Sequence, residues 1–102
     1  MQLLTDELRK SIPALYSQNQ LSIENKIVHV KFYFPLGKWI WYVVEGSEEE
    51  NDFIFFGFVI GFEKEWKYFS LIQLENIDVS GYKVERDLNF KPTKFRDLQI
   101  DL

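Results

Sequence analysis

Residues 32–69 read FYFPLGKWIWYVVEGSEEENDFIFFGFVIGFEKEWKYF and hold fourteen of the eighteen aromatic side chains in the chain. β-Branched and aromatic residues recur there in short runs, Trp39–Glu45, Phe53–Phe62 and Trp66–Phe69, each bounded by turn-forming residues. That pattern belongs to strands joined by tight connections. Pro35-Leu36-Gly37-Lys38 suits a hairpin turn, the polar stretch Gly46–Asp52 a second, and Glu63-Lys64-Glu65 a third. Each buried ring removes about 150–250 Å² from water, so these runs are the core of the domain. Gly57 and Gly61 fall on the same side of their run as Phe53, Phe55 and Val59, where a missing side chain admits a bulge or another element, such as a crossing helix.

Working outward, Ile27–Phe34 alternates, with Val28, Val30, Phe32 and Phe34 on one side and Ile27, His29, Lys31 and Tyr33 on the other, which predicts one continuous strand. Leu3–Tyr16 has helical spacing at Leu8, Ile12 and Leu15, Thr5 as N-cap and Asp6 and Glu7 in the first turn. Pro13 lacks a backbone donor and clashes with the preceding turn, so one helix or two short pieces fit the segment. Ser70-Leu71-Ile72-Gln73 matches a capping box opening a short helix to about Ile77. Val79–Lys83 reads as loop, Val84–Phe90 as a last strand, and residues from about Pro92 as a tail anchored by Phe95, Leu98 and Ile100. The expectation is one α+β domain over residues 1–102, an antiparallel sheet of four to five strands with the N-terminal helix and a second short helix packed on one face.

The 102 residues suit one domain of the usual size, about 100–150 residues. With 46% hydrophobic and 27% charged residues the composition is globular. Cysteine is absent, which excludes disulfides, thiolate zinc sites and cysteine nucleophiles and accords with a reducing cytoplasm. The first ten residues carry acids and no apolar run of a signal peptide. Phe53–Phe62 is far short of the roughly 20 apolar residues of a membrane helix. A net charge of −4 opposes general affinity for a phosphate backbone. The charge is polarised: Glu45–Asp52 holds five acids and no base, and Lys83–Arg96 five bases and two acids.

His29 is the only histidine, which excludes catalytic triads and paired-histidine metal sites. On a strand it reads as a partly buried, hydrogen-bonded residue, the alternative being a lone general base. Glu45, Glu85 and Asp87 lie at apparent strand ends, where two carboxylates brought together share a proton or hold a divalent ion, and where Arg86 and the lysines compete for them. Trp39, Trp41, Tyr42, Trp66 and Tyr68 are either core or an exposed stacking platform. Glu48-Glu49-Glu50 is either a solvated loop tip or, with Glu45 and Asp52, an acidic patch that docks on a basic surface. Lys83, Arg86, Lys91, Lys94 and Arg96 offer contacts to phosphates or simple solubility. No residue is assigned a catalytic, metal-ligating or cofactor role.

Taken in order, Leu3-Leu4-Thr5 with Glu7-Leu8-Arg9, Val30-Lys31-Phe32, Trp39-x-Trp41-Tyr42, Glu45-Gly46, Phe55-Phe56-Gly57, Tyr68-Phe69-Ser70 and Glu85-Arg86-Asp87-Leu88 through Phe90-Lys91-Pro92 resemble a bacterial family of small domains of unknown function carried on plasmids, integrative elements and phages. The resemblance implies a cytoplasmic accessory protein of a mobile genetic element, with inhibition of a host Cas9-type CRISPR effector as one proposed role for such proteins. Under that expectation the chain is non-enzymatic and binds its host protein through Glu45, Glu48, Glu49, Glu50 and Asp52, as a monomer or weak dimer without direct nucleic-acid or membrane binding. The alternatives are a small carboxylate-based enzyme or metal-binding protein, and a nucleic-acid-binding module using Lys83–Arg96.

Overall fold

The computed structural model describes all residues, Met1–Leu102. Strands β1 (Ile27–Val28), β2 (Val30–Tyr33), β3 (Ile40–Glu49), β4 (Asp52–Ile60) and β5 (Lys64–Ser70) precede three short pairs of extended residues and β9. These are β6 (Asp78–Val79), β7 (Tyr82–Lys83), β8 (Glu85–Arg86) and then β9 (Thr93–Lys94). The main sheet is antiparallel in the order β5-β4-β3-β2-β8. β1 pairs with β9, and β6 with β7. The expected α+β class is present, and the antiparallel sheet, expected with four to five strands, has five.

Helix α1 (Asp6–Ser11) is shorter than the periodicity of its apolar residues implies. Thr5 caps it, its hydroxyl accepting from the Leu8 N–H at 3.2 Å. Pro13 ends it: a residue before proline is excluded from helical ψ, and Ile12 sits at φ −70°, ψ 124°. Helix α2 (Leu71–Glu75) opens with the expected capping box between Ser70 and Gln73 and buries Leu71 and Leu74. Val79–Lys83, expected as loop, is a small hairpin whose turn residues Ser80 and Gly81 take φ of 54° and 86°.

The core has two layers, one on each face of the sheet. On the first face Val30, Phe32, Trp41, Val43, Phe53, Phe55, Val59 and Phe69 pack under Leu3, Leu4, Ile12, Leu71 and Leu74. On the second face Val28, Tyr42, Val44 and Phe58 pack under Phe95, with Phe90, Leu98 and Ile100 around it. The C-terminal residues are therefore a lid on the sheet. Phe95 meets Phe58 edge-on at 5.1 Å and Trp66 at 4.9 Å, both in the range of favourable ring pairs.

The expected continuous strand over Ile27–Phe34 is interrupted at His29, and its alternation changes face there. Val28 belongs to the second layer, whereas Val30 and Phe32 belong to the first. The change faces a β-bulge in β3, where the register to β4 slips between Val43 and Glu45. Val43 and Val44 point to opposite layers as in any strand, and the bulge then leaves Glu45 on the second face with Val44. Gly57 lies against this bulge: a Cβ there would come within 1.8 Å of the Tyr42 carbonyl oxygen, so only glycine fits. At Gly61 the visitor is the Trp39 ring, 2.2 Å from where a Cβ would stand. The bulge expected beside the glycines is present, and an indole occupies the place anticipated for a helix.

Replacing Phe95 with alanine removes the buried aromatic side chain at the centre of the lid. A loss of about 3–5 kcal/mol is expected by chemical denaturation, with binding of a hydrophobic dye to the exposed second face.

Candidate partner-binding surface

β2 pairs with β3 only as far as Val43, so the later half of β3 has an edge with free backbone groups on that side. Residues 13–18 occupy it. The Gly46 N–H donates to the Pro13 carbonyl at 2.9 Å, and the Leu15 N–H to Ser47 Oγ at 3.0 Å. The Glu45 carboxylate accepts from the Tyr16 N–H at 2.8 Å through Oε1 and from the Gln18 N–H at 2.7 Å through Oε2. Glu45 is 2% exposed. Its assignment to an exposed binding patch is corrected: the buried carboxylate has both oxygens engaged by backbone donors, and the side chain anchors the connection between α1 and β1.

Gln18, which the sequence did not single out, completes this anchor. Its Nε2 donates to the Val44 carbonyl at 2.9 Å and to the Ile27 carbonyl at 3.1 Å, and its Oε1 accepts from the Ile27 N–H at 2.7 Å. A side-chain amide here does the work of a peptide unit between β3 and β1. Only the polar run Ser17-Gln18-Asn19-Gln20 was visible beforehand, and nothing in that run distinguishes Gln18 from its neighbours.

Asp52 also has an internal task. Its Oδ1 accepts from the Phe53 N–H at 2.7 Å and from the Ile72 N–H at 3.1 Å, so it satisfies one of the free donors at the start of α2. Burial pushes its pKa up, but hydrogen bonds from Ile72, Phe53 and Ser70 outweigh this and hold it below the ordinary value of 3.8.

The three remaining acids of the run stay at the surface. Glu48 and Glu49 end β3, Glu50 occupies the turn into β4 at φ 55°, and all three are exposed. Arg9 of α1 lies 5.6 Å above the centre of the Phe53 ring and forms an ion pair with Glu48, which holds this end of the hairpin against the helix. Glu49 and Glu50 have no ion-pair partner. The expected acidic patch thus narrows to three neighbouring carboxylates, one of them partly neutralised.

Of the other candidate groups, Glu85 and Asp87 line one open cleft of about 450 Å³ with Lys31, Tyr33 and Arg86, whereas Glu45 lies apart from them. Tyr33 donates to Glu85 over 3.4 Å, Asp87 accepts from the Asn89 N–H at 2.9 Å and lies 3.9 Å from the Lys31 ammonium, and Glu45 is buried in the anchor described above. Arg86 does not pair with its acidic neighbours: its guanidinium donates to the carbonyls of Gln2 at 2.6 Å and Leu3 at 2.7 Å and clamps the N-terminal segment. His29 lines a cleft of about 230 Å³ together with Asp87, and burial lowers its pKa, favouring the neutral imidazole. No three acidic or histidine side chains are placed to share a metal ion.

Trp41 and Tyr42 are buried, Trp39 stacks on Trp41 at 5.8 Å, and Trp66 is half-covered beneath Phe95, so these rings serve as core. Of that set, Tyr68 is exposed. In the basic segment Arg96 bonds the Asn25 side chain and Lys83 sits 3.9 Å from Asp78, while Lys91 and Lys94 are exposed. No helix is long and apolar enough to cross a membrane.

The molecule is therefore an α+β domain whose sheet carries an acidic hairpin end. The family described as "Protein of unknown function (DUF2958)" matches residues 3–97, and the chain belongs to that family. No curated protein and no solved structure matches it.

Two substitutions separate the internal acids from the surface ones. Glu45→Ala leaves the buried Gln18 N–H and the partly buried Tyr16 N–H without acceptors and is expected to cost about 2–3 kcal/mol in denaturant melts. Asp52→Ala removes a capping acceptor and is expected to cost about 1 kcal/mol at neutral pH. Because the Asp52 carboxylate has a lowered pKa in the folded state, its contribution is present above the ordinary carboxylate value and is lost as the pH falls through the lower folded value. The difference between wild type and Asp52→Ala should therefore shrink in acid.

Proposed function

We propose that this chain is a non-enzymatic accessory protein of a mobile genetic element that binds a basic surface of a host nuclease, of the Cas9 type, and masks it. The observation that carries this reading is the exposed row Glu48-Glu49-Glu50 on a hairpin end braced by Arg9. A channel that holds a guide–target duplex by backbone contacts is strongly cationic, and exposed carboxylates at a hairpin end compete for the same lysines and arginines. Opposite charge also speeds the encounter, in a way that salt suppresses. The inhibitory role and the identity of the partner rest on the likeness to mobile-element domains. Support for a binding role over a carboxylate enzyme comes from the separation of Glu45 from Glu85 and Asp87, each already engaged within the fold.

The test is a cleavage assay with purified effector, guide and target in the presence of the wild-type chain or the triple variant Glu48→Lys/Glu49→Lys/Glu50→Lys. The wild type should inhibit cleavage, with potency falling as salt rises. The triple variant should retain the wild-type circular dichroism and lose inhibition by at least about tenfold, which corresponds to 1.4 kcal/mol of binding. Undiminished inhibition by the folded variant would refute docking through this hairpin end.

A further inference from the structure

The sheet stops at β5. This strand pairs with β4 alone, and its seven residues have no strand on the other side. The C-terminal residues lie on the second face, with Phe95 over Trp66 and Phe58, and meet the start of β5 only through its Lys64 side chain, which donates to the Asp101 carbonyl; no C-terminal backbone group pairs with the free edge. An uncovered strand edge of this length is a template for pairing with another extended chain.

The side chains of β5 narrow the choice of partner. In an antiparallel ladder hydrogen-bonded and non-hydrogen-bonded pairs alternate, so two copies related by a two-fold axis must set one residue opposite itself. Centring on Glu65 opposes two acids, and centring on Lys67 opposes two bases. Centring on Tyr68 leaves Lys67 facing Phe69. Centring on Trp66 sets Glu65 opposite Lys67 twice, with Lys64 opposite Tyr68. Neither Glu65 nor Lys67 has an ion-pair partner within its own chain. Lysine on a sheet edge ordinarily deters pairing, because most strands bring no acid to face it. A second copy of this strand brings one.

We propose that the chain self-associates through β5, antiparallel and centred on Trp66, so that two five-stranded sheets join edge to edge. A single strand pair buries less area than a standard stable interface of about 1,600 Å², which sets the expected affinity in the micromolar range. β5 runs from the Gly61-Phe62-Glu63 turn toward Ser70, whose partner in β4 is Ile54, close to the acidic hairpin end. Antiparallel pairing therefore directs the two acidic ends of the dimer to opposite sides.

Sedimentation equilibrium of the full chain from low to high micromolar concentration tests this directly. A reversible monomer–dimer equilibrium is expected. Glu65→Lys alone and Lys67→Glu alone each place like charges opposite one another and should weaken association by about tenfold or more. The double variant Glu65→Lys/Lys67→Glu restores opposite charges and should recover the wild-type constant, with circular dichroism confirming the fold of all three. A chain that stays monomeric throughout the range would overturn the proposal. So would a dimer indifferent to the single reversals, or a folded double variant that fails to recover.

Discussion

A strand of ten residues cannot leave half its edge bare inside a small domain, and this constraint organises the region around β3. Buried backbone donors and acceptors left unpaired cost as much as lost hydrogen bonds. Past Val43 the neighbouring strand has ended, and the chain satisfies the remaining edge with a segment that is not a strand. Pro13 supplies a carbonyl, Gln18 supplies a side-chain amide, and Glu45 and Ser47 reach back to hold the N–H groups of residues 15, 16 and 18. The carboxylate suits this task because it accepts two bonds at once, and charge-assisted bonds of this kind are the stronger ones. Lys26 reinforces the arrangement by donating to the Gln18 carbonyl at 2.7 Å.

The same region lets one sheet serve two apolar layers. Without the bulge at Val43–Glu45, strict alternation would carry the pattern of β3 through unchanged, and Val44 and Glu45 could not both face the second layer. The extra residue keeps Glu45 on the same face as Val44 and so sends the carboxylate toward the Gln18 segment. Gly57 is the counterpart on β4, providing the space into which the bulged backbone moves. Aromatic rings then fill both layers: Phe32, Phe53, Phe55 and Phe69 in one, Tyr42, Phe58 and Phe95 in the other.

Local signals in the sequence were reliable where a local cause decides the outcome. The Ser70–Gln73 capping box, the Thr5 cap, the turn at Pro35–Lys38 and the sharing of one face by Trp39 and Trp41 all follow from interactions within a few residues. The end of α1 also has a local cause, although the helical spacing of Leu8, Ile12 and Leu15 concealed how completely Pro13 would stop it. What could not be read was anything dependent on contacts between distant segments. Glu45 looks like the first of five surface acids because its neighbours in sequence are acidic, and only the approach of residues 16–18 makes it a buried anchor. Asp52 is likewise taken out of the patch by α2, twenty residues further on. Phe95 was recognised as an anchor, but the layer it covers is formed by residues far upstream.

The lid on the second face imposes an order of events on a chain made from one end to the other. By the time Ser70 has been added, β2 to β5 can all exist, yet Tyr42, Val44, Phe58 and Trp66 have nothing above them. Translation at about 5–20 residues per second puts the arrival of Phe95 and Ile100 seconds later. During that interval the nascent sheet displays an oily surface to its surroundings, and only the later-translated stretch around Phe95 withdraws it from view.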